Sequence, residues 1–573
     1  MKQYVFLTAI TLLFYGNLWS YQQADAAGRR PNVLLILTDN QSYYELSSNG
    51  HPIVQTPHLD RFADQGVVFN NFYASPYCSP SRAELLTGRY ALRTGVHNTI
   101  GGVTDIAADE SLVSDYLQEN GYATAIFGKW HLGNAYPYSP QYRGFDTSFI
   151  FYGGILGGLS DYYGNAHMDA HFRHNGEVVS TKGYSTDVLF RRAKAFIDEN
   201  KEQPFFCFIS TPVTHGPYQP HPEKLQELQQ RGVVAKKQMA IYSMIENVDD
   251  NVGAILDYLK SEGLRDNTLV IVASDQGMRY RGLADQPPTK HFGLPDNVFD
   301  YRHKVFCMMQ YPGLVTSPRR SSSLTGIIDI TPTILEVCDI AQPGNMDGQS
   351  LKPLLAGNDA AWDEERNLVI QCPRQRERAE NKNVSVKTAQ WRLLDGKLLF
   401  DAEADPYQLR DVAGEYPTVV ESLNRVYQAF WNSLPPEDEI LPARHYLGAR
   451  QAPQTRLDAR SWYRGDAPFY QGQLEEKDHQ GVWPVKICRS GRYRFELRRF
   501  PREADKPIGA AFAAIAIGHA KAQTSLDKTD HKAILEMELE QGDYDMRTYL
   551  AGEQPSGKIQ KWGAYYVYVS YLE

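Results

Sequence analysis

Four short apolar runs constrain the fold of this chain more tightly than any other feature. Val33-Leu34-Leu35-Ile36-Leu37 is followed by Thr124-Ala125-Ile126-Phe127, Phe205-Phe206-Cys207-Phe208-Ile209 and Leu269-Val270-Ile271-Val272-Ala273. A continuous apolar run of this length fits a strand buried on both faces of a parallel sheet. Amphipathic stretches separate the runs and predict helices, among them Ser111 to Glu119 and Lys236 to Glu262. Alternating strands and helices imply an α/β sheet with right-handed crossovers. The residues just after each run point to function. Asp39 and Asn40 follow the first, Lys129 and His131 the second, His215 the third, and Asp275 and Gln276 the fourth. Ligands of open α/β sheets bind beyond the carboxyl ends of the strands, so four strands deliver charged and metal-binding groups to one edge.

A chain of 573 residues exceeds one ordinary core and predicts two or three units. The α/β unit is expected over 27–323. A smaller α+β subdomain follows over 324–440, with a helix from Thr331 to Cys338 and a hairpin of Trp391-Arg392-Leu393-Leu394 and Lys397 to Asp401. Pro435 to about Asp458 reads as a polar linker. Residues 455–573 alternate in β fashion, as in Gly491 to Arg498 and Ala564 to Val569, and predict a small β-sandwich. Residues 1–26 read as a signal peptide: Lys2, an apolar stretch from Val5 to Leu18, then the small-x-small Ala24-Asp25-Ala26. An uncleaved anchor is the alternative. The expectation is an exported protein, periplasmic or secreted, without a stable membrane span.

A formal net charge of −9 argues against nucleic acid as a partner, although an anionic substrate needs only a local basic pocket. Aromatic content of 12%, with 36 Tyr, leans towards a protein that handles sugars. Cys207, Cys307 and Cys338 lie in apolar runs and read as small buried hydrophobes, while Cys372 and Cys488 give no clear reading. Cys78 stands apart in the polar string Tyr77-Cys78-Ser79-Pro80-Ser81-Arg82. Ser79 is a good N-cap and Pro80 a good first helical residue, which would put Cys78 just before a helix N-terminus that favours an anion. Arg82, one turn in, would help to hold whatever nucleophile Cys78 becomes. The plain alternative is an exposed Cys made reactive by a lowered pKa.

Cys78-Ser79-Pro80-Ser81-Arg82, continued by Leu85-Leu86-Thr87-Gly88-Arg89, resembles the Cys-x-Pro-Ser-Arg signature of type I, formylglycine-dependent sulfatases of the alkaline phosphatase-like superfamily. Further marks extend the resemblance over roughly Pro31 to Phe430: Thr56-Pro57-His58-Leu59-Asp60, Gly128-Lys129-Trp130-His131-Leu132-Gly133, Asp329-Ile330-Thr331-Pro332-Thr333 and Asp347-Gly348-Gln349-Ser350-Leu351. The resemblance implies a mostly parallel sheet flanked by helices. It also implies a maturation enzyme that oxidises Cys78 to formylglycine, whose hydrate attacks sulfur. The second hydroxyl then expels sulfate. Asp39, Asn40, Asp275 and Gln276 would hold one cation together with an oxygen from residue 78. All-oxygen ligands suit Ca²⁺ or Mg²⁺, and the cation would polarise the ester. Arg82 would orient the diol, Lys129 would bind sulfate, His131 would support the diol, and His215 would contact substrate and protonate the leaving oxygen.

Three features depart from the family pattern. Asn40 stands where a second aspartate is common, and Gln276 where Asn or His is usual. The second sulfate-binding lysine has no usual Gly-Lys context between Gly277 and Val305; Lys290 is the first candidate and Lys304 the second, with His291 and His303 as pocket possibilities. The expected substrate is a sulfated polysaccharide or oligosaccharide, with specificity lying in loops such as Gly153 to His167. In the β-rich region Trp483, Arg498 and Arg499 are candidate glycan contacts. Two rival readings remain at this stage: a phosphate or phosphonate ester hydrolase of the same superfamily, and a non-catalytic relative that binds sulfated glycan.

Overall fold

The computed structural model describes residues 30–278, 292–372, 375, 377–476, 479–553 and 559–573. The stretch read as a signal peptide, together with Lys290 and His291, lies outside the described residues. The four apolar runs form strands β1 (Asn32–Thr38), β2 (Ala123–Lys129), β3 (Phe205–Ser210) and β4 (Thr268–Ser274). They lie side by side and parallel in the order β4-β1-β3-β2. Six more strands extend them to a ten-stranded sheet. Thr147–Phe151 continues the parallel part, and Cys307–Gln310 runs antiparallel beside β4.

Both faces of these strands are buried, which is why the runs do not alternate with polar residues. Val33, Leu35, Leu37, Phe206 and Phe208 point into one core, and Leu34, Ile36, Phe205, Cys207 and Ile209 into the other. The first core packs against α1 (Cys78–Thr87) and the helices Val113–Glu119 and Ile330–Val337. The second packs against α2 (Ser185–Asn200) and α3 (Lys236–Ser261). The sheet is flanked by helices, as expected; it is parallel through its centre and carries antiparallel pairs on either side, so it is mixed rather than mostly parallel. The predicted hairpin is also present: Trp391–Leu394 pairs antiparallel with Leu398–Asp401 at one edge of a four-stranded sheet. Cys207, Cys307 and Cys338 are buried.

The C-terminal region forms two antiparallel-rich sheets around a shared core that contains Trp462, Trp483, Tyr493 and Tyr565. The stretch read as a linker is ordered. It holds the helix Glu437–Ile440 and the strands His445–Leu447 and Gln454–Asp458, and the first of these strands pairs with Gly481–Ile487. Its prolines and charges concealed strands because both are short. The sandwich also grips the α/β unit. Leu159 belongs to the sandwich core, Tyr566 donates its hydroxyl to the Leu159 carbonyl at 2.7 Å, and Gln471 donates to the Gly158 and Tyr162 carbonyls. The loop from Gly153 to His167 is thereby held from the sandwich side. Among the described residues no helix is long and apolar enough to cross a membrane.

Candidate active site

α1 carries Cys78 as its first residue, with Tyr77 in the capping position. The expected Ser79 cap is therefore two residues late. The Ser79 hydroxyl donates instead to the His131 carbonyl at 2.9 Å, tying the start of α1 to the end of β2. Every residue of α1 is buried, so the helix is threaded into the protein with its N-terminus under the sheet edge. Cys78 is buried beside Asp39 and Asp275, close enough that one ligand atom from each lies within 4.8 Å of the others.

Two buried ion pairs frame this point. Lys129, the last residue of β2, donates from Nζ to Asp39 Oδ2 at 2.7 Å, with both side chains fully buried. Arg82 donates from Nε and Nη2 to Asp275 Oδ2 at 3.1 and 2.8 Å, and its Nη1 reaches the Lys129 carbonyl at 3.1 Å. Two carboxylates and two cations thus meet under the strand ends. Backbone threads hold the segments in register. The Asn40 N–H donates to Asp275 Oδ1 at 3.1 Å, and Thr214 Oγ1 donates to the Asn40 carbonyl at 3.0 Å. Asn40 and His131 both have left-handed backbone, φ 64° and 65°, as the chain turns sharply off β1 and β2. Asn tolerates this conformation; a held His there marks a functional position.

The oxygen inventory fits a hard cation. Asp39 Oδ1 and Gln276 Oε1 are buried without a hydrogen-bond partner among the described residues. Buried polar atoms left open in this way require an explanation, and a metal ion among Asp39, Asp275 and Gln276 supplies one. The donors are oxygens apart from Cys78 Sγ, which suits Ca²⁺ or Mg²⁺ rather than zinc. Burial, and then the neighbouring Asp39 charge, pushes Asp275 above the usual carboxylate range, and a doubly charged ion would reverse that tendency. Gln276 Nε2 lies 3.4 Å from Cys78 Sγ, so its amide reaches residue 78.

The thiol itself is not activated. Burial pushes Cys78 up to about 11, more strongly than Lys129 and Arg82 pull it down. The reactive-thiolate alternative therefore fails on environment. His131 is held neutral by burial and by Lys129, Arg460 and Arg82. Its Nε2 lies 3.2 Å from the Thr99 carbonyl, an acceptor only, so that nitrogen carries the hydrogen and Nδ1 is an acceptor. Nδ1 is buried without a partner among the described residues. Gly154 lies over this ring so closely that a Cβ there would sit 2.2 Å from His131 Cε1. His215, half-buried after β3, hydrogen-bonds through Nδ1 to the Gly216 carbonyl at 2.6 Å.

Not every candidate joins the cluster. Lys304 is half-buried, with its Nζ 4.7 Å from the centre of the Tyr43 ring and its charge facing Asp300 and Arg392. His303 donates from Nε2 to the Asn297 carbonyl at 2.8 Å, beside the Asp300–Lys387 ion pair. Trp483 is fully buried with its indole N–H on the Asp458 carbonyl, Arg498 pairs with Glu496, and Arg499 bonds the Leu474 carbonyl. These three serve the sandwich. Sequence reasoning missed Arg460, which lies against His131 although 329 residues separate them in the chain. The string Asp458-Ala459-Arg460-Ser461 carries no motif that could have flagged it.

A sulfatase family model matches residues 31–340, and one for the C-terminal part of N-sulphoglucosamine sulphohydrolase matches residues 292–430. The chain is similar to human N-acetylgalactosamine-6-sulfatase, 30% identical over 364 residues, which covers 58% of this chain and 67% of that protein. It is also similar to an ulvan-active sulfatase of Formosa agariphila, 26% identical over 427 residues, covering 69% and 80%. Among solved structures, Ps i-CgsB superposes with a TM-score of 0.63 at 25% identity, covering 71% of this chain and 94% of that one. A phosphonate monoester hydrolase of Agrobacterium radiobacter shares the fold with a TM-score of 0.51 at 21% identity, covering 71% and 96%. Since the sulfatase model spans more than half of its length, the chain belongs to the sulfatase family of sulfuric ester hydrolases.

Proposed function

We propose that this protein releases inorganic sulfate from a sulfated polysaccharide or its oligosaccharides, using residue 78 as nucleophile. The observation that carries the reading is Cys78 at the buried N-terminus of α1, flanked by Asp39 and Asp275 and by the cations paired with them. Relatives named for N-acetylgalactosamine 6-sulfate and for ulvan support a sulfated glycan as substrate. A formylglycine made from Cys78 by a maturation enzyme would supply a geminal diol. Asp39, Asn40, Asp275 and Gln276 would hold a Ca²⁺, or a Mg²⁺, which polarises the ester and stabilises developing negative charge.

The chain's own groups then have distinct tasks. Arg82 keeps Asp275 ionised and aimed, and Lys129 does the same for Asp39 while presenting positive charge to the sulfate. Neutral His131 offers Nδ1 to a hydroxyl of residue 78 and takes up its proton as the second step begins. His215, whose Nδ1 bonds the Gly216 carbonyl, would donate a proton from Nε2 to the leaving oxygen when protonated. Export to the periplasm or beyond rests on residues 1–26.

The test is peptide mass spectrometry across Cys78 on protein co-produced with a formylglycine-generating enzyme, paired with sulfate-release assays on sulfated glycans. An aldehyde at residue 78 with sulfate release is expected. An unmodified thiol, when a control substrate of the same maturation enzyme is converted, would overturn the mechanism. An aldehyde with phosphonate turnover and no sulfate release would overturn the substrate class.

A further inference from the structure

The sandwich does more than brace a loop: it inserts a cation into the catalytic pocket. Arg460 sits in the single helical turn Ala459–Ser461 that follows the strand Gln454–Asp458. The turn is built for rigidity. The Asp458 side chain accepts the Arg460 N–H at 3.2 Å and the Ser160 hydroxyl at 2.9 Å, and the Asp458 carbonyl takes the Trp483 indole N–H. The loop carrying Thr99 lies flat on it, since a Cβ on Gly102 would meet Tyr463 Cα at 2.9 Å and the Ser461 carbonyl at 3.0 Å.

From this base the Arg460 side chain reaches the Cys78 pocket with only 6% of its surface exposed. Its guanidinium stacks 4.9 Å above the Phe469 ring. Nη2 donates to the Thr99 carbonyl, the same acceptor that fixes the His131 tautomer, and lies 3.4 Å from His131 Nε2. Nη1 is buried with no hydrogen-bond partner among the described residues. Among the described residues no carboxylate forms an ion pair with it; burial works against its charge most strongly, and the Asp458 carboxylate and then the Cys78 thiol favour it from beyond ion-pair distance. A buried guanidinium that touches no carboxylate is costly. A site keeps one when an anionic ligand completes it, and the anion handled beside residue 78 is sulfate.

We propose that Arg460 is a substrate-binding residue of the catalytic site, donating from Nη1 to a non-bridging oxygen of the sulfate group opposite Lys129. This rests on the sulfatase reading above and deepens it. Arg460 supplies from the sandwich the second positive contact sought between Gly277 and Val305, where Lys304 faces Tyr43. The β-rich region is then part of the active site rather than an appendage.

The test uses the full chain with Cys78→Ala, so that turnover plays no part, and inorganic sulfate as probe. Binding is followed by calorimetry and thermal shift in Ca²⁺, with chloride at equal ionic strength as control. Arg460→Met and Arg460→Gln are each expected to weaken sulfate binding roughly 10- to 100-fold, the worth of a charge-assisted hydrogen bond. The Tm of Arg460→Met should hold or rise, because an uncompensated buried charge has become apolar. Sulfate affinity in both variants equal to that of the Cys78→Ala parent, with or without a lower Tm, overturns the proposal in favour of a structural arginine. Loss of binding in Lys290→Ala but not in Arg460→Met overturns it in favour of the lysine. If the Cys78→Ala parent binds no sulfate at all, the sulfatase reading of the site fails first, before Arg460 is reached.

Discussion

Replacing Arg82 by Met gives the most direct measure of how the site is held together. The magnitude follows from what each lost donor leaves behind. Nη1 bonds the Lys129 carbonyl and Ser210 Oγ, but Ser210 Oγ itself donates to that carbonyl at 2.7 Å, so both keep a partner. Nε and Nη2 both bond Asp275 Oδ2, which has no other donor among the described residues, whereas Oδ1 keeps the Asn40 N–H. The cost is therefore not a sum of hydrogen bonds but that of an uncompensated buried carboxylate next to Asp39. Breaking one side of such a pair costs about 3–5 kcal/mol. Asp275→Asn in the same protein removes the stranded charge and should recover about 2–3 kcal/mol of it, within the range of contacting pairs in double-mutant cycles. Urea unfolding of the four proteins in chelator, read by fluorescence, measures the cycle. Additivity within about 0.5 kcal/mol would refute the claim that the charge pair, rather than packing around Arg82, governs the site.

Three further outcomes are expected. Asp161, in the loop held by the sandwich, accepts from Gly157 and Asn165, and burial raises it to about 6. A carboxyl raised in the folded state contributes stability that is full below about pH 4 and is lost as pH rises through 6, here about 2–3 kcal/mol. Asp161→Asn should flatten the Tm-against-pH curve over that window, and an unchanged curve would sink the assignment. Gly154→Ala places a methyl against the His131 ring and should lower kcat/KM at least 10-fold with the fold retained, checked by steady-state kinetics and circular dichroism. Removal of divalent ions should abolish sulfate release and lower the Tm, with Ca²⁺ or Mg²⁺ restoring both; full activity in metal-free buffer would contradict the assignment of the open oxygens of Asp39 and Gln276.

The sequence by itself determined the central sheet, because a strand buried on both faces has no solvent side and must read as an unbroken apolar run, as β1 and β3 do. It also determined Asp39, Lys129, His131 and Asp275 as partners at one edge, since each lies at or just beyond the end of a legible strand and parallel strands end together. Cys78 and Arg82 were legible from one short motif whose spacing is local. Local spacing erred at the helix start, where Ser79 looks like a cap until the His131 carbonyl claims its hydroxyl. Only tertiary structure decided that Lys304 faces Tyr43, that the supposed linker supplies sandwich strands, and that Arg460 enters the pocket. The reason is physical. A residue brought to a site by packing between two units owes its place to contacts hundreds of positions away, such as Gly102 against Tyr463. No periodicity or spacing around it records those contacts.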